Sequence, residues 1–182
     1  DDETMYGEIK SYIRAIKPEM EQLVRLYKGK VPIFDNFDVA KQIKSLFAKY
    51  VSLRRGAYLI IEHTEAMHVI DVNSGNRTKA EDDQEQTALE VNLAAAAEIA
   101  RQLRLRDMGG IVIIDFIDMK SEEHRKILTR KLQDEVKKDR LKTTVIGMTE
   151  LGLMQITRKK SVLPVLSLIT DECRCCHFNG VT

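Results

Sequence analysis

Tryptophan is absent from the 182 residues, and aromatic side chains make up only 5% of the chain. This scarcity argues against extensive stacking of nucleobases on this segment alone. No apolar run approaches the roughly 20 residues that a membrane-spanning helix needs, and no signal-peptide pattern is present. The net charge is only +1, so only a clustering of basic residues on one face would make the chain a polyanion binder.

Cysteine is also scarce, and the three cysteines crowd together as Cys173, Cys175 and Cys176. An odd, crowded set is a poor disulfide framework and indicates a reducing compartment such as the cytoplasm. Cys173 and Cys176 have Cys-x-x-Cys spacing, which fills half of a four-cysteine zinc site. The zinc is then shared with a second copy of the chain, or the cysteines are inert. Cys175 and His177 could instead complete a local site, although such close neighbours are awkward ligands.

What the chain does contain is an alternation of strand and helix patterns over residues 57–146. The predicted elements are strands at 57–62, 66–71, 110–115 and 143–146, and helices at 84–106 and from 121 to about 138. The first two strands are separated by three residues and predict a hairpin, while the third is a continuous apolar run typical of a buried strand. The sequence therefore predicts an α/β (α+β) fold with helices packed on a mixed sheet. The first fifty residues are predicted to be mainly helical, over 8–27, where Pro18 either opens a second helix or bends the first, and over 39–49.

Two carboxylates stand at the ends of predicted strands, Asp71 after Met-His-Val-Ile and Asp115 after Ile-Val-Ile-Ile. Side chains alternate along a strand, so Asn73 is expected on the same side as Asp71. Two carboxylates and an amide oxygen suit a hard cation such as Mg²⁺, which could orient a water and neutralise a phosphate. The alternative is structural: residues 71–75 form a polar turn, and Asp115 caps the next loop.

Basic residues gather in two places, and each has a structural and a functional interpretation. Arg106 closes the string Arg-Gln-Leu-Arg-Leu-Arg at the end of the long predicted helix. The helix dipole favours a cation there, but Arg106 could also reach a phosphate beside the metal. Lys142 belongs to a second basic run that begins at Lys137, and such a run is usually a solvated helix end.

Several motifs together resemble the ribonuclease E/G family. They are Asp-Val-Asn-Ser-Gly from Asp71, Thr-Ala-Leu-Glu-Val-Asn-Leu from Thr87, the string from Arg101 to Met119, and Leu-Gly-Leu-Met-Gln-Ile-Thr-Arg from Leu151. The resemblance begins near Val31 and covers nearly the whole chain. Residues 119–160 are closer to the ribonuclease G branch of the family.

The resemblance implies an endoribonuclease that cuts single-stranded RNA, rather than DNA, to 5′-phosphate and 3′-hydroxyl ends. It implies that Asp71 and Asp115 bind the catalytic Mg²⁺, and that Asn73 supports the site and its attacking water. Arg106 is expected near the scissile phosphate. Lys142 stands where the family has a second basic residue.

The resemblance also implies a domain plan: the closing part of an RNase H-like subdomain at 1–55, a DNase I-like catalytic subdomain at 56–165, and a zinc link at 166–182. In that link Cys173 and Cys176 share a structural Zn²⁺ between two chains, which makes a homo-oligomer. The family link reads Cys-Pro-x-Cys-x-Gly-x-Gly, and here the cysteine spacing is kept while the proline and first glycine are replaced.

The family also has an S1 domain and a 5′-end sensor, so the sequence is expected to be a fragment truncated at both ends. Two alternatives to an active nuclease follow. The first is an RNA-binding or assembly module without turnover. The second is a different magnesium phosphodiesterase built on a similar sheet.

Overall fold

A computed structural model of the chain describes residues 1–75, 81–160, 171–172 and 179–180. The chain divides into two compact units, Asp1–Ser45 and Leu46–Thr182. In the part of the chain that the structure describes, no helix is both long enough and apolar enough to cross a membrane. The mixed sheet with packed helices that the sequence predicts lies in the second unit.

The first unit is helical and shallow. It contains helices α1 (Glu3–Ile16), α2 (Ile33–Asn36) and α3 (Val39–Ser45), and a 3₁₀ helix at Pro18–Leu23. Of the two outcomes predicted at Pro18, the structure shows the first: Lys17 adopts a non-helical φ of −151° and Pro18 opens a second, 3₁₀ helix. The helical prediction over residues 8–27 is wrong only beyond Leu23, where this helix ends. None of residues 1–45, all of which the structure describes, is fully buried.

The second unit is built on a six-stranded sheet with the order β1-β2-β3-β4-β6-β5. Its strands are β1 (Tyr50–Ser52), β2 (Tyr58–His63), β3 (Met67–Asn73), β4 (Gly110–Asp115), β5 (Thr143–Met148) and β6 (Leu153–Arg158). Strands β3 and β4 are parallel, and every other neighbouring pair in this sheet is antiparallel. A separate two-stranded ribbon joins β7 (Asp171–Glu172) to β8 (Asn179–Gly180).

Helices α4 (Glu81–Leu105) and α5 (Glu122–Val136) pack against one face of this sheet. The buried strand residues on that face are Leu59, Ile61, Ile70, Val72, Val112, Ile114, Met154 and Ile156. Alternation along each strand sends their neighbours to the other face, which is called the open face here. Helix α4 connects the parallel strands β3 and β4, so it must run back along the sheet between them.

The ends of the strands line two opposite edges of the sheet, and these differ because α4 carries the chain from one to the other. The carboxyl ends of β3 and β4 meet at one edge, which carries Asp71 and Asp115 and is called the acidic edge. The amino ends of β3 and β4 meet at the opposite edge. There Gly110 of β4 pairs with Arg158 of β6, and Arg158 pairs with Thr143 at the start of β5. Helix α4 ends at this opposite edge, because it must deliver the chain to the start of β4.

Candidate functional site

The acidic pair lies on two adjacent parallel strands. Asp71 of β3 and Asp115 of β4 are partners in register, so their side chains project side by side from the open face. Neighbouring strands are roughly 4.8 Å apart, which places the two carboxylates within reach of one small cation. The tertiary structure thus brings together two residues that are separated by a 25-residue helix in the sequence.

Charge repulsion is built into this pair. Partial burial, the Asp71 carboxylate and the Asp118 carboxylate all raise the pKa of Asp115 above its ordinary value. Asp118 belongs to the loop that follows β4, and sequence reasoning did not single it out. This repulsion favours a cation bound at the pair, because a cation relieves it.

Asn73 orients one of these carboxylates. Its amide nitrogen donates a hydrogen bond of 2.7 Å to the Asp71 Oδ2. An ionised carboxylate can only accept hydrogen bonds, so the amide nitrogen and not the amide oxygen must face it. Asn73 therefore holds the Asp71 side chain in place and leaves its own Oδ1 available to a water or an ion.

The loop after β4 is fixed by a buried side chain of helix α4. Asn92 is completely buried, and its Nδ2 donates to the carbonyl oxygen of Ile117 at 2.8 Å. In return the amide of Ile117 donates to the Asn92 Oδ1 at 3.0 Å. The single side chain satisfies both backbone groups of the residue that immediately precedes Asp118.

A carboxylate of α4 fixes the other end of the same loop. Glu85 accepts hydrogen bonds from the backbone amides of Lys120 and Ser121, at 3.0 and 3.1 Å. These two amides hold the pKa of Glu85 below its ordinary value, and His124 adds to the effect through Nδ1 at 3.0 Å. The loop from Asp115 to the start of α5 is thereby tied to α4 at two points.

The turn between β1 and β2 also lies at the acidic edge. It contains Arg54 and Arg55, which are both exposed. A Cβ atom at Gly75 would collide with the carbonyl oxygen of Gly56, so this turn packs directly against the end of the Asp-Val-Asn-Ser-Gly loop. Gly75 also has a φ of +70°, and glycine meets both demands. No sequence signal identified these arginines, because their position depends on strand pairing.

The structure does not bring Arg106 to the acidic pair. Its side chain is only 4% exposed. Its Nε donates to the Gln102 Oε1 at 2.7 Å and its Nη2 to the carbonyl oxygen of Ala48 at 2.9 Å. The residue follows α4 and therefore lies at the opposite edge, where its hydrogen bonds support a structural role.

Lys142 also lies away from the acidic pair. It precedes Thr143, which pairs with Arg158 of β6, and Arg158 in turn pairs with Gly110 at the start of β4. Strand β4 runs from Gly110 to Asp115, and at roughly 3.3 Å per residue its two ends are about 16 Å apart. Both basic residues predicted for the site are thus separated from the acidic pair by the length of the strand.

The cysteines predicted to bind zinc, Cys173 and Cys176, lie outside the described residues. Within the described residues no group of three or more histidine, cysteine, aspartate or glutamate side chains is arranged to hold a metal. Two carboxylates nevertheless fit Mg²⁺, which proteins usually hold by one or two carboxylates with water and substrate phosphate in the other positions. Asp71 and Asp115 are the described residues with this arrangement.

Comparison with known proteins gives consistent matches. The sequence model of the ribonuclease E/G family matches residues 1–161. Ribonuclease G of Haemophilus influenzae is 42% identical over 180 residues, which is 99% of this chain and 36% of that protein. Ribonuclease G of Escherichia coli K12 is 40% identical over 99% of this chain and 37% of its own length. Ribonuclease E of Haemophilus influenzae is 39% identical over 88% of this chain and 17% of its own length. The chain thus spans little more than a third of these ribonuclease G proteins.

Proposed function

The chain belongs to the ribonuclease E/G family, and from that premise we propose that it supplies the metal-binding core of an endoribonuclease acting on single-stranded RNA. The observation that carries the proposal is the in-register pair of Asp71 and Asp115 at the carboxyl edge of two parallel strands. Ligands and substrates of open α/β sheets collect at this kind of edge.

In this proposal Asp71 and Asp115 hold one Mg²⁺, and Asn73 keeps the Asp71 carboxylate turned toward it. A bound Mg²⁺ lowers the pKa of a coordinated water and neutralises charge on the phosphate under attack. Water would add its oxygen to phosphorus and give up a proton to solvent, while the bond from phosphorus to the 3′ oxygen breaks and the 3′ oxygen takes up a proton. The products are a 5′-phosphate and a 3′-hydroxyl.

A cleavage assay tests the proposal directly. Single-stranded RNA with a 5′-monophosphate is incubated with the intact protein, with and without Mg²⁺. Magnesium-dependent cuts with 5′-phosphate ends are expected. Binding without cleavage under every metal condition would support the alternative function, an RNA-binding or assembly module without turnover.

Substitution of Arg106 distinguishes a structural role of this residue from a catalytic one. Its hydrogen bonds to Gln102 and Ala48 predict that Arg106→Ala lowers the free energy of unfolding by about 1.5–3 kcal/mol, the usual range for a hydrogen bond to a charged group. Turnover of bound RNA, measured where the variant is fully folded, should change little. If Arg106 meets the scissile phosphate, as the resemblance implies, turnover should instead fall on the order of 100- to 1000-fold. Single-turnover kinetics and thermal unfolding of the same preparation decide between them.

For Lys142 we expect a small effect, because it is exposed at the opposite edge. Lys142→Ala serves as the matched control for Arg106→Ala, since both positions lie about one strand length from Asp115. A large loss of turnover in Lys142→Ala alone would show that RNA reaches this edge.

We also propose that Cys173 and Cys176 supply two thiolates to a Zn²⁺ shared with a second chain, and that Cys175 remains a free thiol. The support is the Cys-x-x-Cys spacing together with the family resemblance, and a structural zinc requires four ligands. Half an equivalent of zinc per chain is expected, in a species whose mass falls on chelation. A zinc-free monomer would contradict the shared site, and a full equivalent per monomer would indicate a local site using Cys175 or His177.

A further inference from the structure

We propose that the β1–β2 hairpin forms a nucleotide-binding subsite beside the acidic pair. In this subsite Tyr58 and Tyr50 stack unpaired bases of the RNA, and Arg54 contacts its phosphate backbone. The inference rests on the proposed function, since it places a substrate next to the groups that would cut it. Tyr50, Tyr58 and Arg54 hold RNA at the acidic edge, where neither Arg106 nor Lys142 lies.

Strand register places the tyrosines on the same face as the carboxylates. Tyr50 pairs with Ile60, Ile60 with Asp71, and Asp71 with Asp115. Paired residues project to the same side of a sheet, so these four side chains form one row across the open face. Tyr58 pairs in the adjacent row with Asn73, the residue whose amide orients Asp71.

The two rings form a continuous aromatic surface. Their centroids are 6.1 Å apart and their planes are inclined by 56°. Tyr50 is 60% exposed and Tyr58 is half-buried, so Tyr58 is anchored in the sheet while Tyr50 faces solvent. Stacking on such rings is tolerant of base identity, because every base has a π-face. It requires a base that is free of its partner strand, which matches a preference for single-stranded RNA.

The negative charge of the acidic edge requires a cation from the protein to hold the RNA. The carboxylates of Asp71, Asp115 and Asp118 repel an RNA backbone, so cations near the acidic edge must hold the strand in addition to the metal. Arg54 is exposed in the turn that packs against Gly75. Its neighbour Arg55 pairs with Glu90 at 3.0 Å. Arg54 is therefore the residue of this turn that we assign to the backbone phosphate.

Binding measurements test the aromatic part. A fluorescent, single-stranded, A/U-rich oligoribonucleotide is titrated with intact protein carrying Asp71→Asn, which leaves the RNA uncut. Adding Tyr58→Leu should weaken binding on the order of 5- to 150-fold, the range for loss of one stacked base. Tyr58→Phe keeps the ring and should bind within about twofold of its parent. Tyr12→Leu, at a 68% exposed tyrosine of the first unit, is the matched control and should have no effect.

Abasic RNA shows whether the ring and the base act together. Removing the stacked base from the oligonucleotide should weaken its binding to the parent protein, which keeps Tyr58. The same removal should not weaken binding to Tyr58→Leu any further, because the effects of two groups in contact are not additive. Additive losses would overturn the subsite, as would equal affinities of Tyr58→Leu and Tyr58→Phe. Tyr50→Leu, in the outermost strand β1, repeats the test with a substitution that leaves the Tyr58 ring in place.

Salt dependence tests the cation. Loss of one phosphate contact from single-stranded RNA should reduce the slope of log affinity against log salt by about 0.7. We expect this change in Arg54→Gln and none in Arg140→Gln, an exposed arginine on the approach to β5 at the opposite edge. The reverse result would place the RNA at that edge and overturn the proposal. Failure of wild-type protein to cleave RNA would contradict the proposed function instead, whereas normal cleavage with unchanged binding in Arg54→Gln and Tyr58→Leu would contradict the subsite alone.

Discussion

Asp115→Asn is expected to abolish magnesium-dependent cleavage while leaving the fold intact, and Asp71→Asn should do the same. Each substitution removes one of two charges that would hold the metal. The expected loss of turnover is on the order of 100- to 1000-fold or more, since removal of a single preorganised group facing developing charge already costs that much. Cleavage of 5′-monophosphorylated single-stranded RNA by the intact protein measures it.

Stability gives this prediction an independent measurement. Like charges side by side on neighbouring strands are destabilising, and a cross-strand charge pair is worth about 0.2–1 kcal/mol. Without metal, Asp115→Asn should therefore unfold at the same temperature as wild type or a higher one. Magnesium should raise the melting temperature of wild type and not of the variant, because only a ligand that binds the native state stabilises it. Near-normal cleavage by either variant would show that the metal site lies elsewhere.

Asn92→Leu is expected to have the second largest effect, although Asn92 does not touch the substrate. Leucine has the same branched shape, with methyl groups in place of the amide oxygen and nitrogen, and it leaves the amide and the carbonyl of Ile117 without their partners. Each unsatisfied buried group costs about 1–3 kcal/mol, so for the two groups we expect a loss of about 2–6 kcal/mol in the free energy of unfolding. The loop that carries Asp118 should also shift relative to Asp115, which should raise the magnesium concentration required for half-maximal cleavage by about 10- to 100-fold.

Leu103→Ala is the matched control for Asn92→Leu. Leu103 is equally buried in the same helix, but it lies near the opposite edge. Truncation of a buried leucine to alanine costs about 2–5 kcal/mol, so both variants should lose comparable stability. Only Asn92→Leu should shift the magnesium midpoint. An equal shift in both variants would show that the midpoint follows general stability and not the position of the loop.

Local sequence determined the main elements of the second unit. It also determined that Asp71 and Asp115 lie toward the carboxyl ends of two strands. The apolar runs of β3 and β4, with the long helical pattern between them, predicted a strand–helix–strand unit that the structure confirms. Alternation along β3 also placed Asn73 on the side of Asp71. These features depend on neighbours within one element, where periodicity is informative. Strands β1 and β6 were missed, since β1 has only three residues and the pattern beyond Leu151 gave only a weak signal.

Tertiary structure decided which residues share the acidic edge. Sequence order places Arg106 nine positions before Asp115, but helix α4 ends at the edge from which β4 begins, so the strand separates them. The same pairing brings Arg54 and Tyr58 to the acidic edge, although they are remote from Asp115 in sequence. The direction and register of the strands fix these distances. Strand β2 is antiparallel to β3, so β2 begins at the edge where β3 ends, which is the acidic edge. A single sequence carries the local periodicity of each strand, whereas its partners are chosen by packing of the whole sheet.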